Sequence, residues 1–441
     1  MGSVRVSLCG VLAMNWNRLQ AAWLCVPLLS VVMSAGEACG EELPGIPEGS
    51  APVQTEPVAG VALDDEADLI RYRRACEQFK DRQGQDLSGK GLAVAIIDTG
   101  IMRQHTDFAN TRIVSEVNLT GDNGGVVTDA TDGSGHGTHV AGIIVADGQH
   151  SGMARNASLA IIKALHNQGE PVLAYPKDVN TRLDDALQWV LDHHAEYGIS
   201  IVNMSLSDPV LRRTDNYAPG SIKMKIRSKI QALRSLRIPV IVAAGNHYRN
   251  GNRAERPSDR DVKMGMGFPA IIRETISVGA VYEADSRDGH LHSPYGEAKS
   301  HSFVQFQVAP FSARLADNFS AELRTDILAP GGILLPSTGI GTVTGSSHYE
   351  HGGTSQAAPI VTASVLLLQQ YYKSHTEQLP LVDDLERWLR DGKIGQDGLP
   401  DTILDGDNEY DNVRHTCGRF RVLDINGALT LASQQIQAQE P

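Results

Sequence analysis

The sequence predicts an α/β fold in which a mostly parallel central sheet carries helices on both faces. Three observations predict it: short apolar runs recur along the chain, helical patterns lie between them, and the runs lack polar alternation. Strands that alternate with helices are typical of a parallel sheet, and strands without polar alternation are covered on both faces. Functional groups are therefore expected at the carboxyl ends of the strands.

The predicted elements follow in chain order. Acidic residues precede basic ones over 64–79, which predicts a helix because this order suits the helix dipole. The predicted strands are the runs LAVAII, LAIIKAL, ISIVNMSL, IPVIVAA and ETISVGAV. Helical patterns are predicted over 140–146, 182–196 and 223–236, and a longer helix follows Ser355. The histidine- and serine-rich segment over 282–311 is predicted to be a surface loop.

The amino-terminal residues 1–38 have the pattern of an export signal. Arg18 precedes an apolar stretch over 21–33, and small residues follow as far as Ala38. Because a permanent span needs about 20 apolar residues, the stretch predicts a cleaved signal peptide and no stable membrane span, with a retained anchor as the alternative. We therefore expect a secreted protein, periplasmic or extracellular.

Composition divides the remaining chain and excludes some functions. Residues 39–63 are rich in Pro, Gly and Glu and are predicted to be a linker or short pro-segment; one domain is expected over 64–433 and a C-terminal tail over 434–441. The net charge of -13 argues against nucleic-acid binding, which needs basic side chains. Cys76 and Cys417 are hypothesised to form a disulfide that joins the two ends of the domain.

Four polar residues lie where a fold of this class is expected to place its functional groups. Asp98 and Asn246 each follow an apolar run, His136 opens a helical pattern, and Ser355 precedes another. Each has a plainer interpretation: Asp98 and Asn246 as turn residues, and Ser355 as a helix N-cap. His136 and His139 could share a metal ion, but no nearby Asp, Glu or Cys completes a zinc-like set, so no metal ligands are predicted.

Taken together, the polar motifs resemble those of the subtilisin-like serine protease (subtilase) family. AIIDTGI, GHGTHVAGII and GGTSQAAPIV resemble, in the family's order, its Asp, His and Ser motifs. IVNMSLS resembles the family's substrate-pairing strand, and VIVAAGN resembles its oxyanion segment. The resemblance runs from about residue 64 to 431 and implies that 64–433 is a subtilase catalytic domain.

The resemblance implies a role for each of these residues. Ser355 would be the nucleophile, His136 the general base, and Asp98 the carboxylate that orients the imidazole. The Asn246 side chain and the Ser355 N–H would form the oxyanion hole. The implied function is a secreted serine endopeptidase that works through an acyl-enzyme intermediate. His139, one helical turn beyond His136, is predicted to be a packed structural residue.

The resemblance also implies a substrate groove for polypeptides. The peptide backbone would pair with Ser205, Leu206 and Ser207, and the primary specificity pocket would be walled by Ala243, Ala244 and Gly245. Where the family usually has two glycines, this chain has Ser207 and Asp208. The added bulk and charge predict a preference for a basic or small residue beside them.

No cofactor is expected to be required. The short segment over 145–154 lacks the loop that commonly holds calcium in the family, and the acidic stretch over 405–412 lacks the glycine of an EF-hand loop, so calcium is possible but has no strong motif. A monomer is expected. The alternatives to a protease are a subtilase fold kept for binding or regulation without turnover, and a hydrolase of other substrates with the same triad.

Overall fold

A seven-stranded parallel sheet lies at the centre of the fold. The computed structural model describes residues 63–167, 176–248, 264–285, 300, 302–316, 323–332, 335–339, 348–392, 402–406, 413 and 415–439. The strands are β1 (Ala93–Asp98), β2 (Ile113–Asn118), β3 (Ser158–Lys163), β4 (Ile199–Met204), β5 (Val240–Ala243), β6 (Ile276–Val281) and β7 (Ile327–Pro330). Their order in the sheet is β2-β3-β1-β4-β5-β6-β7, and every neighbouring pair is parallel.

Helices cover both faces of this sheet. Those described are α1 (Asp64–Leu69), α2 (Tyr72–Gln78), α3 (His136–Val145), α4 (Pro176–Tyr197), α5 (Ile222–Ser235), α6 (Thr354–Thr376), α7 (Val382–Asp391) and α8 (Ile425–Gln439). Helices α2, α3, α6, α7 and α8 contribute to one hydrophobic core, and α4 and α5 contribute to the other. The predicted α/β class is thereby confirmed.

Strand β1 explains why the apolar runs show no polar alternation. Val94 and Ile96 point into the core under α3 and α6, whereas Ala95 and Ile97 point into the core under α4 and α5. All six residues of β1 are buried, because consecutive side chains on a strand face opposite sides and both sides are covered here.

The five predicted strands are confirmed as β1, β3, β4, β5 and β6, and two further strands, β2 and β7, extend the sheet at its edges. Strand β2 is only half-buried, and the apolar run of β7 is short and ends in a proline, so neither has the long apolar run that marks the others. Two antiparallel pairs lie outside the sheet: β8 (Leu335–Thr338) with β9 (His348–His351), and β10 (Thr402–Leu404) with β11 (Arg419–Arg421).

The single helix predicted over 64–79 is wrong in one respect, since two short helices occupy the segment. Arg71 lies between α1 and α2 with a left-handed φ of 58°, which interrupts the helical hydrogen bonds. The other predicted helices exist, and α3 begins at His136, four residues before its predicted start.

The segment over 282–311 is not a simple surface loop. Its described ends are fixed in the core, where the rings of Tyr282 and Phe303 stack with centroids 3.8 Å apart and both side chains are almost fully buried. Val308 also forms a bridge with Val281 at the end of β6. A histidine- and serine-rich composition concealed these anchors, because a few aromatic and aliphatic residues are sufficient to bury both ends.

Two further predictions about the ends of the domain are corrected. The tail predicted over 434–441 continues α8 as far as Gln439, and Ile436 is buried with a relative exposure of 6%. Cys76 and Cys417 are both free thiols, so the proposed disulfide is absent. Helix α8 packs on α6 and α2 instead, so apolar contacts join the two ends of the described domain.

The predicted signal peptide over 1–38, and all of the predicted linker except its last residue, lie outside the described residues. Among the helices of the described ranges, none combines the length and the apolar character that crossing a membrane requires.

Candidate active site

Asp98 and His136 form the best-defined pair at the carboxyl edge of the sheet. Asp98 is the last residue of β1 and is fully buried, and His136 is the first residue of α3. The Nδ1 atom of His136 lies 2.7 Å from Oδ1 of Asp98, and the same oxygen accepts a hydrogen bond of 2.8 Å from the backbone N–H of Thr99. A carboxylate accepts only, so Nδ1 carries the proton and Nε2 is the basic nitrogen.

Asp132 explains why α3 begins at His136. Its carboxylate accepts hydrogen bonds from the backbone N–H groups of Ser134, Gly135 and Thr138, and from the Thr138 hydroxyl. These bonds satisfy donors at the helix start that have no partner within the helix. Sequence reasoning missed Asp132, although an Asp just before a glycine-rich turn into a helix is a recognisable capping signal.

Gly137 allows α3 to approach β1 closely. A Cβ atom at this position would lie 2.4 Å from the carbonyl oxygen of Gly100 and 3.2 Å from the Cβ of Asp98. Any larger residue would therefore push the helix, and His136 with it, away from Asp98. Gly137 is therefore required for packing on the side of Asp98.

The pKa of His136 is raised above its ordinary value of 6.5. Burial lowers it, but the charge of Asp98, the hydrogen bond to Asp98 and the charge of Asp132 together outweigh burial. The imidazole is thus a stronger base than a free histidine. Nearby, burial and the charge of His136 lower the pKa of His351 to about 4, so His351 is neutral near pH 7.

Ser355 is the second residue of α6 and has a relative exposure of 9%. Its hydroxyl donates to the carbonyl oxygen of Ser205 at 3.0 Å, and the Ser205 hydroxyl donates in return to the carbonyl oxygen of Ser355 at 2.8 Å. This exchange joins the start of α6 to the end of β4. A rotation about one side-chain bond redirects the Ser355 hydroxyl, and α3 packs directly against α6.

Asn246 is held beside Ser355 through Thr354. The backbone N–H and the hydroxyl of Thr354 both donate to Oδ1 of Asn246, at 2.9 and 2.8 Å, and the same hydroxyl accepts from the N–H of Gly245. With its oxygen occupied, the Asn246 side chain presents its amide nitrogen as the free end. Sequence reasoning missed Thr354, and no local pattern marks its contact with a residue 108 positions away.

The residues predicted to line a substrate groove lie in the chain that continues β4 and β5. These strands are neighbours in the sheet, so Ser205, Leu206 and Ser207 follow one of them while Ala243, Ala244 and Gly245 end the other. Ser205 and the second group are buried, whereas Leu206 and Ser207 are half-buried. The structure therefore brings the two predicted groups to the same edge as Asn246 and Ser355.

Asp208 is neutralised from within the protein. Its carboxylate pairs with Arg212, lies 3.6 Å from the Lys223 ammonium group, and accepts a hydrogen bond of 3.0 Å from the backbone N–H of Phe268. This pairing removes the physical basis for expecting Asp208 to attract a basic substrate residue. Ser207 is then the residue by which this predicted groove differs from the usual pattern of the family.

A second polar cluster lies outside this site, at the far side of α3. Potential ligand atoms of His105, Asp107 and His348 all lie within 4.8 Å of one another. Burial raises the pKa of Asp107, but the hydrogen bond and charge of His348 and the charge of His105 bring it down to about 2. The carboxylate already accepts hydrogen bonds from four groups: the N–H groups of Gln149 and His150, the Thr338 hydroxyl and His348.

Because both carboxylate oxygens of Asp107 already accept two hydrogen bonds each, we expect chelation to leave the fold unchanged. Incubation with EDTA should not alter the midpoint of thermal unfolding at pH 7. His348 Nε2 already contacts Asp107 Oδ2 at hydrogen-bond distance, so a cation bound between these two groups would have to displace that hydrogen bond. A fall of several degrees that added Zn²⁺ or Ca²⁺ reverses would contradict this expectation.

Comparison with known proteins gives one family and several relatives. The sequence model of the Subtilase family matches residues 89–390. The chain is similar to "Serine protease AprX" of Bacillus subtilis, with 29% identity over 304 residues that cover 66% of this chain and 59% of AprX. It is also similar to the "Major intracellular serine protease" of the same organism, with 26% identity over 291 residues that cover 65% of this chain and 70% of the relative.

A third relative is "Subtilisin E", again of Bacillus subtilis, with 27% identity over 298 residues that cover 66% of this chain and 59% of the relative. The matched region thus spans less than two thirds of the length of two of these three relatives.

Proposed function

The chain belongs to the subtilase family, and from this premise we propose that it is a serine endopeptidase that cleaves polypeptides. The observation that carries the proposal is the 2.7 Å contact between His136 Nδ1 and a fully buried Asp98. A buried carboxylate that fixes the tautomer of an imidazole is the feature that a serine nucleophile needs. Ser355 lies at the start of a helix that packs against the helix of His136.

In the proposed mechanism, His136 acts as the base. Its Nε2 accepts the Ser355 proton as the hydroxyl oxygen attacks the substrate carbonyl carbon, and Asp98 stabilises the imidazolium that forms. His136 then donates this proton to the departing amine, which leaves the acyl group on Ser355. Water attacks the acyl-enzyme in the second half of the reaction, again with His136 as the base.

The negative charge that develops on the carbonyl oxygen would be stabilised by two donors. One is the amide nitrogen of Asn246, whose oxygen is held by Thr354. The other is the backbone N–H of Ser355, which belongs to the first turn of α6, where N–H groups have no acceptor in the helix. Both donors are fixed before substrate binds, so little reorganisation accompanies the reaction.

The peptide substrate would lie as an added strand along Ser205, Leu206 and Ser207. Backbone hydrogen bonds in such a complex give affinity for many sequences, whereas the pocket walled by Ala243, Ala244 and Gly245 would select a side chain. Both this arrangement and the family support polypeptides as the class of substrate.

Labelling with a fluorophosphonate probe, together with incubation with casein, tests the proposal. We expect an adduct on Ser355, located by mass spectrometry of the digested protein, and cleavage of casein. Ser355→Ala should lose both, while Ser364→Ala, which removes a hydroxyl from the same helix, should keep both. A folded sample that is neither labelled nor active contradicts the proposal, and labelling without casein cleavage would indicate a hydrolase of other substrates.

We also propose that the protein is exported and acts as a monomer. Export is supported by the apolar stretch over 21–33 and the small residues up to Ala38. The family does not decide the matter, because one relative is named as intracellular. The amino-terminal residue of the protein recovered outside the cytoplasm, and its mass in solution, test these two statements.

A further inference from the structure

The side chain of Ser207 lies between the positions of Gly245 and Gly267, in the proposed substrate groove. A Cβ atom on Gly245 would be 2.9 Å from the Ser207 hydroxyl oxygen, and a Cβ atom on Gly267 would be only 1.9 Å from it. The Ser207 Cβ is itself 3.4 and 3.2 Å from these two positions. The hydroxymethyl group therefore fills the space that the two glycines leave open.

This space is where a substrate side chain would have to enter. Gly245 directly precedes Asn246, whose amide nitrogen is the proposed donor to the substrate carbonyl oxygen. The side chain of the residue that supplies this carbonyl is attached to the neighbouring Cα, so in the proposed complex it would lie close to Gly245. Ser207 faces Gly245 from the opposite wall of the groove.

Ser207 is held in this place by its surroundings. Its hydroxyl lies 3.2 Å from the carbonyl oxygen of Asp208 and 3.4 Å from that of Ala244, within hydrogen-bond reach of both. The backbone around Ser207 is hydrogen-bonded to neighbouring segments. The Asp208 N–H donates to the carbonyl oxygen of Phe268 at 2.9 Å, and the Gly267 N–H donates to the carbonyl oxygen of Ala244 at 3.0 Å. Moving Ser207 aside would break these bonds and the ion pairs of Asp208 with Arg212 and Lys223.

We propose that Ser207 closes the specificity pocket and restricts cleavage to bonds that follow a small residue, namely Gly, Ala or Ser. The inference rests on the proposed endopeptidase function. A large aliphatic or aromatic side chain would have to share the space between Gly245 and Gly267 with the Ser207 hydroxymethyl group, and a packed site resists such insertion. Because the charge of Asp208 is neutralised internally, size and not charge is the property selected.

Mapping the bonds cut in casein tests this inference. We expect the wild-type protein to cut after Gly, Ala and Ser and to leave bonds after Phe, Tyr and Leu uncut. Ser207→Gly removes the obstructing group, so cuts after the large residues should rise at least tenfold relative to cuts after the small ones, within the range of roughly 10- to 200-fold per methylene-sized change in a pocket. Ser207→Ala keeps the Cβ and should give an intermediate ratio.

The control is Ser228→Ala, which removes an exposed hydroxyl from α5 and should leave the ratio of cuts as in the wild type. Wild-type cutting mainly after Phe, Tyr or Leu would overturn the inference, as would an unchanged ratio in both Ser207 variants. If the fluorophosphonate probe fails to label Ser355 and no bond is cut, the proposed function itself is wrong. If the probe labels Ser355 but casein is cut after large residues, the proposed protease function stands and only the role of Ser207 is wrong.

Discussion

Replacement of His136 by alanine is expected to lower kcat on the order of 10⁶-fold, the loss that the histidine of subtilisin itself shows, with the fold intact. A serine hydroxyl is too weakly acidic to attack an amide unless a base removes its proton, and His136 is the proposed base. Its side chain is 27% exposed, so alanine leaves no large internal cavity. Casein cleavage checks the loss of activity, and circular dichroism of the same preparation checks that the fold is intact.

His139→Ala is the matched control, since it removes an identical side chain one helical turn away. His139 is fully buried, and its ring lies 4.8 Å from that of His351 in an edge-to-face arrangement. Its loss should lower the free energy of unfolding by about 0.5–3 kcal/mol, the usual range for a single substitution, and change kcat far less than His136→Ala does. Equal losses of activity in the two well-folded variants would contradict the role of His136.

Asp98→Asn is the second variant with a large expected effect, a fall in kcat on the order of 10⁴-fold, a magnitude taken from related triads. An asparagine amide can donate to Nδ1 of His136 at the same distance, and this favours the tautomer in which Nε2 carries the proton and cannot act as a base. Asp98 is the fully buried last residue of β1, and asparagine has nearly the same size and shape as aspartate, so the shape of the site is retained.

The pH dependence of kcat/KM gives the same variant a second readout. The base works in its neutral form, so activity rises with pH through the pKa of His136. Burial lowers this pKa, but the charge and hydrogen bond of Asp98 raise it by more, and the net shift is upward. The acid limb of the wild-type protein should therefore lie above pH 6.5, and Asp98→Asn should move it to lower pH. If the acid limb of Asp98→Asn stays at the pH of the wild-type limb, Asp98 is not the cause of the raised pKa of His136.

Some candidate residues lie at the end of a strand or the start of a helix, and local sequence patterns were sufficient to find them. Asp98 ends a strand, and His136 and Ser355 open helices, each with an apolar run that marks the element. The parallel sheet then determines that strand ends meet at one edge, because all seven strands run in the same direction. The resemblance to the subtilase family then combined motifs far apart in the chain into one candidate site.

Contacts between distant segments had no such local signal. Thr354 holds Asn246 across 108 positions, and Asp208 is neutralised partly by Lys223, yet neither pair has a spacing that marks it. The anchors Tyr282 and Phe303 were likewise hidden in a polar segment. A hydrogen bond or ion pair of this kind depends on how two elements pack, and packing is decided by the whole core.

The sequence by itself determined the α/β class, the family and the candidate residues Asp98, His136 and Ser355, since strand and helix periodicity and short motifs are properties of the local chain. Only the tertiary structure decided that the charge of Asp208 is neutralised and that Ser207 fills the space beside Gly245. The physical reason is that the width of a groove is set by two chain segments that approach each other in space, and neither segment alone records that distance.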